Sequence, residues 1–183
     1  MSVTTRTALP TGTWTIDPAH SNVEFSVKHL GIATVRGAFN EFEGSFEIGE
    51  DGSARARGTV QAASIDTNED GRDTHLRSED FFHAEVHPEL SFESTEIRPL
   101  DEDSFLIHGE LTMRGVTRPV VLEAELQGTE TDPWGNDRVA LEASGQLNRR
   151  DWGMTFNQAL GSGNMLVSDK VKLTLDISAI KQG

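Results

Sequence analysis

Apolar and polar residues alternate along most of this chain, and this period limits the folds that the chain can adopt. The alternation is clear in four segments, at 22–28, 104–113, 137–148 and 170–178. A period of two turns successive side chains to opposite faces of a strand, so each segment predicts a β-strand with one buried and one hydrated face. Such strands along the whole chain predict an antiparallel all-β domain. A closed antiparallel barrel has an interior that can hold a ligand.

The alternation changes phase at two places. Apolar residues fall on odd numbers up to Phe39 and on even numbers from Phe42, and a similar shift separates Ala62 from Ile65. A slip of one residue is typical of a β-bulge, which bends a strand around a barrel. Turn residues at 50–53, 100–103, 115 and 133–136 separate the predicted strands.

Two stretches do not alternate. The first predicts one short helix near residues 70–80, laid across a barrel end, with Asp70 as its N-cap and with Leu76 and Phe81 turned inward. The second, at 151–169, is rich in Gly and Asn and predicts a long ordered loop. Long loops in compact domains are often functional.

The domain organisation follows from length and composition. We expect residues 1–12 to form a flexible lead-in and residues 13–183 to form a single domain. The first twelve residues contain no apolar run of the kind that a signal peptide needs, and no stretch approaches the length of a membrane span. These features predict a cytoplasmic protein.

Charge and cysteine content exclude several functions. The net charge of −14 argues against binding nucleic acid, and against docking on anionic membranes by charge alone. The chain has no cysteine, which excludes disulfides, thiol nucleophiles and thiolate metal sites.

No catalytic motif is present in the sequence. His83 and His87 have the spacing of two zincin ligands, but Glu does not follow His83 directly, and Pro88 disfavours a helix there. A histidine-rich metal site made by converging loops stays open, although scattered surface histidines are commoner. The Gly-Ser-Gly at 161–163 is not a nucleophile elbow, and phosphate-binding and dinucleotide fingerprints are missing. We therefore expect no catalytic residues, no metal and no cofactor.

Small residues are frequent at the inward positions, including Ala56, Gly58, Ala62, Gly109 and Ala143. An eight-stranded barrel is just wide enough for side chains to fill it, so small inward residues leave volume unfilled. They predict an apolar cavity or tunnel, unless large neighbours swing in and complete an ordinary core.

Several short motifs together resemble one known family. They follow one another from about residue 13 to residue 180, and in this order they are far more specific than any one alone: Ile16-Asp17, His20-Ser21, Val27-Lys28-His29, Ile65-Asp66-Thr67, Arg72-Asp73, His75-Leu76-Arg77-Ser78, Asp80-Phe81-Phe82, Leu111-Thr112, Gly115-Val116-Thr117 and Arg150-Asp151-Trp152-Gly153. The chain resembles the YceI-like family, the lipocalin-like polyisoprenoid-binding proteins of bacteria. Many of those relatives carry a signal peptide, which is not seen here, and the family often has an acidic residue at the position of His83.

The resemblance implies an eight-stranded antiparallel lipocalin-like barrel with an elongated apolar pocket, a homodimer, and binding rather than catalysis. The expected ligand is a long-chain amphiphilic lipid, either a polyisoprenoid, an isoprenoid quinone or a fatty-acyl derivative, which the protein would carry or store. Two alternatives are an empty structural or stress-induced barrel and an enzyme acting on a lipophilic substrate. The enzyme would need an inward Asp, Glu or His, and we find none in the apolar phase.

The candidate site residues form two groups. Apolar residues on inward positions are expected to line the lipid tail: Phe25, Val27, Phe39, Phe42, Ile107, Leu122, Leu141, Trp152 and Leu173. Each of these is also a plausible core residue, and Trp152 either closes the pocket or plugs the barrel end. For a polar head group we expect Arg72, His75 and Arg77, helped by the N-terminus of the short helix. Alternatively, the arginines pair with nearby carboxylates and hold the helix on the barrel.

Overall fold

The computed structural model describes residues 9–163 and 165–183, which form a closed antiparallel β-barrel with one α-helix. The strands are β1 (Gly12–Ile16), β2 (Asn22–His29), β3 (Ala33–Phe39), β4 (Phe42–Ile48), β5 (Ala54–Gln61), β6 (Ile65–Asp66), β7 (Glu89–Pro99), β8 (Ser104–Met113), β9 (Val116–Thr131), β10 (Asp137–Asn148) and β11 (Lys170–Lys181). The helix α1 covers Asp70–Arg77, and short 3-10 helices cover Pro18–His20, Ala62–Ser64 and Arg149–Trp152. The prediction of an all-β fold with one short helix is confirmed.

Eight long strands close the barrel, because three of them are bent and are made of two segments each. The ring runs in the order β1, β4, β5, β7, β8, β9, β10 and β11, and β11 pairs again with β1. Strand β2 continues β1, β3 leads into β4, and β6 continues β5. Strand β11 accordingly pairs with β1 through residues 179–181 and with β2 through residues 172–176.

The predicted changes of phase are the bends of these strands. At the first, Asn40 and Glu41 interrupt the strand between β3 and β4. At the second, the 3-10 helix at 62–64 takes the place of a one-residue bulge. Both interruptions turn the chain without breaking the ring. They explain why inward residues change from odd to even numbers at the first bend and from even to odd at the second.

Two apolar clusters pack the barrel, one around Trp14 and one around Trp152. Leu9 belongs to the first cluster, and the indole nitrogen of Trp14 donates a hydrogen bond to the carbonyl of Pro10 at 3.0 Å. Residues 9–12 therefore belong to the barrel rather than to the predicted flexible lead-in. Residues 1–8 of that lead-in lie outside the described part of the chain.

The barrel has two different ends. The turn end carries the tight turns at 49–53, 100–103 and 132–136, each closed by a backbone hydrogen bond as the turn residues predict. The helix end carries the turn at 30–32, helix α1 and the segment 153–169. The predicted long loop is this segment, and two isolated β-bridges, His29 with Val167 and Ala159 with Met165, hold it in place.

The N-cap of helix α1 lies one residue before the predicted one. Glu69, not Asp70, is the N-cap, and its carboxylate accepts from the backbone N–H groups of Gly71 and Arg72. The longer Glu side chain can reach back over the first turn, whereas the sequence rule favours Asp and Asn at this position. The helix ends at Arg77, and Phe81 beyond it is buried as predicted.

Candidate functional site

The barrel encloses a cavity of about 510 Å³. Its wall is almost wholly apolar and is built from nearly every strand, from Ile16, Phe46 and Ile177 at one extreme to Val27, Phe156 and Leu166 at the helix end. Because inward residues of each strand alternate with outward polar ones, the strands create this lining without any special local sequence. A site of this size and polarity suits an apolar small molecule or chain.

The structure places most of the candidate tail residues on the cavity wall. These are Phe25, Val27, Phe39, Phe42, Ile107, Leu122, Leu141 and Leu173. Trp152 lies elsewhere, since it is only 1% exposed and its indole nitrogen donates to the carbonyl of Leu111 at 2.9 Å. It packs into the second apolar cluster and plugs the helix end, which was the alternative interpretation of this residue.

Small inward residues only partly account for the cavity. A Cβ atom on Gly37 would lie 2.4 Å from the ring of Phe25, and one on Gly109 would lie 2.3 Å from the ring of Phe92. Large neighbours thus swing over these glycines, as the ordinary-packing interpretation expects. By contrast, Gly58 lines the cavity, and a Cβ there would approach only a backbone oxygen at 3.4 Å.

Polar groups at the helix end border the cavity. Arg72 and His75, both on α1, line it, and Arg72 donates from Nε and Nη2 to the hydroxyl and carbonyl oxygens of Thr67 at 2.8 and 2.7 Å. The buried Asp73 accepts from the hydroxyl and the backbone N–H of the same threonine at 2.5 and 2.8 Å. These hydrogen bonds fix the first turn of α1 against the barrel. Arg72 remains part of the cavity lining.

Arg77 does not reach the cavity. Its Nε donates to the carbonyl of Ala63 at 3.0 Å and its Nη2 to the carbonyl of Ile65 at 3.3 Å. The side chain therefore holds the end of α1 on the bend of the β5–β6 strand. It does so through backbone carbonyls rather than through the carboxylates that the sequence suggested.

His75 sits in an aromatic box at the cavity edge. Its ring makes edge contacts with Phe81 and Phe156, with centroids 5.1 and 4.7 Å away. Its Nε2 lies 2.9 Å from Oδ2 of Asp80. Because Phe156 belongs to the segment 153–169, this box joins α1 to that segment above the cavity.

Arg149 anchors the same segment, and the sequence analysis missed it. The side chain is 3% exposed, and it donates to the carbonyls of Ser168, Met154 and Val167 at 2.9, 2.6 and 3.3 Å. Nη2 also lies 3.6 Å from Oδ1 of Asp169, while burial lowers the pKa of Arg149 below its ordinary value. Arg149 thus ties both ends of the segment to the barrel. No periodic signal marks such a residue, since its partners are backbone carbonyls.

His29 was also missed, although a signal existed. It continues the odd-numbered apolar phase of Val23, Phe25 and Val27, and it lines the cavity. The prediction that no Asp, Glu or His lies in the apolar phase is therefore wrong for His29. His83 and His87 lie with ring centroids 5.8 Å apart. Within residues 9–163 and 165–183, no group of three or more metal-ligating side chains converges.

No helix in the described part of the chain is long and apolar enough to cross a membrane. Fold and cavity together define a class of protein, the lipocalin-like barrels of eight antiparallel strands that enclose an apolar site. The YceI-like domain matches residues 14–179. The chain belongs to the YceI-like family, as the resemblance of its motifs predicts.

Bacterial relatives cover most of the chain. The UPF0312 protein of Photorhabdus laumondii is 38% identical over 165 residues, which are 89% of this chain and 82% of that protein. The UPF0312 protein PA0423 of Pseudomonas aeruginosa is 40% identical over 165 residues, or 89% and 83% of the two chains.

Solved structures share the fold. The Campylobacter jejuni YceI protein has a TM-score of 0.74 at 26% identity, over 85% of this chain and 90% of that chain. Burkholderia cenocepacia BcnA has a TM-score of 0.77 at 19% identity, over 89% and 98% of the two chains. A polyisoprenoid-binding domain from Saccharophagus degradans, implicated in plant cell wall breakdown, has a TM-score of 0.68 at 14% identity, over 92% and 98%.

Proposed function

We propose that this protein binds the apolar tail of a long-chain amphiphilic lipid in its barrel cavity and acts as a carrier or store. The observation that carries the proposal is the cavity itself, which has a volume of about 510 Å³ and an almost wholly apolar wall. The ligand classes that fit are a polyisoprenoid, an isoprenoid quinone and a fatty-acyl derivative. The likeness to a polyisoprenoid-binding domain supports the same class.

Hydrophobic burial alone can give useful affinity here. Each methylene removed from water contributes about 0.8 kcal/mol, so ten of them contribute roughly 8 kcal/mol before the cost of ordering the chain. A net free energy of that size would correspond to a dissociation constant of about 1 µM, so the further methylenes of a longer tail must offset the ordering cost. The lipid tail therefore needs few polar contacts, which agrees with the lining.

Two of the three candidate head-group residues lie at the cavity edge. The first N–H groups of α1 are occupied by the carboxylate of Glu69, and Arg77 is committed to the barrel. Arg72 and His75 remain at the cavity edge. We propose that Arg72 and His75 contact the head group.

The first test is mass spectrometry of an organic extract of the purified native protein, against a matched blank. A stoichiometric long-chain isoprenoid or acyl compound is the expected result. An empty extract, together with failure to bind added polyprenyl lipid, would refute the proposal and favour an empty structural barrel. Conversion of the added lipid to a new compound would instead favour an enzyme.

Site occupancy is tested by filling the cavity. Val27→Trp and Leu141→Trp each place an indole on the cavity wall, so we expect at least a tenfold loss of lipid affinity by fluorescence titration. Val121→Trp is the matched control, because Val121 lies on the same barrel but is exposed and off the cavity wall. Equal affinity of a folded Val27→Trp protein would exclude that position from the tail site. Sedimentation equilibrium of the same samples tests the expected homodimer.

A further inference from the structure

Two large apolar side chains are exposed at the helix end. Ile32, in the turn between β2 and β3, is 77% exposed, and Met165, in the segment 153–169, is 43% exposed. His29 pairs with Val167, and the backbone N–H of Leu30 donates to the carbonyl of Leu166 at 3.0 Å. The segment 165–167 therefore flanks the end of β2 on one side. The turn that carries Ile32 flanks it on the other side, where the backbone N–H of Ile32 donates to the carbonyl of His29 at 3.2 Å. We call Ile32 and Met165 the apolar tip.

Four cations lie on the outer face directly below the apolar tip. Lys28 is on β2, Arg36 on β3, and Lys170 and Lys172 on β11, and all four are exposed. Ser26 is the direct neighbour of both Arg36 and Lys172, so these two cations stand on either side of one strand, about 10 Å apart. We call the four residues the basic row.

The basic row carries more positive charge than the two carboxylates beside it, Glu24 and Asp169, can balance. Within residues 9–163 and 165–183, none of its four members makes an ion pair, whereas the nearby Asp169 faces Arg149 and Arg150 at 3.6 and 3.8 Å. Glu24 lies two residues before Ser26 on β2, further from the apolar tip, and on the same face as Ser26 and Lys28. Like charges on neighbouring strands repel and destabilise the sheet. Their concentration on one face of a chain with net charge −14 therefore points to an anionic partner.

The same strands connect this face to the cavity. Val27, Val35 and Val171 alternate with the basic row and line the cavity wall, and Leu166 lines it beside Met165. The elements that carry the apolar tip and the basic row therefore also form the cavity wall at the helix end. A partner that covers this face would lie directly against that wall.

We propose that the apolar tip and the basic row form a docking surface for a bilayer with anionic head groups. The tip inserts its two side chains among the acyl chains, and the basic row lies on the head groups. Interfacial anchors combine these two contributions, and neither suffices alone in most cases. The net charge of −14 opposes membrane docking only where the charges are averaged over the whole surface. Screening confines each charge to about 10 Å, so the local row decides.

The test is co-sedimentation of the full chain with vesicles of phosphatidylcholine, with and without about one third phosphatidylglycerol. We expect binding only to the anionic vesicles, and release at about 0.5 M salt. The double variant Lys170→Gln with Lys172→Gln should bind about 25-fold more weakly, since each cation near such a surface contributes about fivefold. Ile32→Ser should weaken binding roughly tenfold through the lost apolar contact.

Matched controls sit at the turn end. Arg55→Gln with Arg98→Gln removes the same charge from exposed positions, and Leu100→Ser removes an exposed apolar side chain. Neither should change vesicle binding, and circular dichroism checks that every variant is folded. Wild-type protein that stays in the supernatant with anionic vesicles would overturn the proposal and leave an acidic protein as the alternative partner. Equal losses in both sets of variants would overturn it too, because binding would then follow total charge.

Discussion

Replacing Arg149 tests whether this residue holds the segment 153–169 on the barrel. Its guanidinium makes three hydrogen bonds to the carbonyls of Met154, Val167 and Ser168, and the residue is 3% exposed. Replacing Arg149 by Met keeps an unbranched side chain of similar reach but removes all three donors. The carbonyls would then be left without partners unless water enters.

The expected loss follows from these contacts. A hydrogen bond to a charged group contributes about 1.5–3 kcal/mol net, and breaking a buried charged network costs about 3–5 kcal/mol. We therefore expect Arg149→Met to lower the free energy of unfolding by about 3–5 kcal/mol in urea titrations. Amide hydrogen exchange should show the largest loss of protection in the segment 153–169, since Arg149 holds both of its ends.

Arg150→Met is the control for this prediction. Arg150 is the next residue, it is exposed, and its Nη1 lies 3.8 Å from Asp169, so the expected loss is below about 1 kcal/mol. Arg149→Lys keeps the charge but cannot reach three carbonyls, and it should fall between the two. A loss below about 1 kcal/mol for Arg149→Met, or equal losses in both Met variants, would refute the reasoning.

Two further predictions concern packing and pH. Gly109→Ala places a Cβ atom 2.3 Å from the ring of Phe92, so it should lower the free energy of unfolding by about 1–3 kcal/mol in urea titrations. Gly58 faces the cavity, so Gly58→Ala should change that free energy by less than about 0.5 kcal/mol. Equal effects would contradict the assigned positions. A hydrogen bond from Arg138 lowers the pKa of Asp132 from 3.8 to about 2. The ionised carboxylate therefore stabilises the fold fully at pH values above the pKa of the unfolded state. This stabilisation is lost as the pH falls through the pKa of the folded state. The wild-type Tm should therefore fall more steeply than that of Asp132→Asn between about pH 4 and pH 2, and parallel curves would contradict the assignment.

The strands could be predicted because a half-buried strand leaves a period of two in its own residues. The same pattern located the bends at 39–42 and 62–65, although it could not tell a bulge from a turn of 3-10 helix. The first strand ended where Asp17-Pro18 predicted it, at Ile16. These features depend on residues that are close in the sequence, so the local sequence pattern predicts them.

The cavity and its entrance depended on contacts between distant residues. Gly37 and Gly58 look alike in the sequence, yet Phe25 covers the first and nothing but backbone approaches the second. Arg149 acts through carbonyls up to 19 residues away, which leave no mark in side-chain pattern. The helix cap was placed one residue late because Glu69 uses its longer side chain for a task more often given to Asp.

The closure of the barrel has a consequence for how the chain is synthesised. Ser21 and Ser178 exchange hydrogen bonds across 157 residues, and β11 pairs with both β1 and β2. Because β1 also pairs with β4 and β2 with β3, β11 closes the ring between β10 and these two strands. Contacts this distant form slowly, and an unclosed sheet exposes two free edges together with its apolar interior. Until β11 has left the ribosome, the nascent barrel is an open sheet that other chains can join. Its yield in the cell should therefore depend on chaperones that shield those edges during translation.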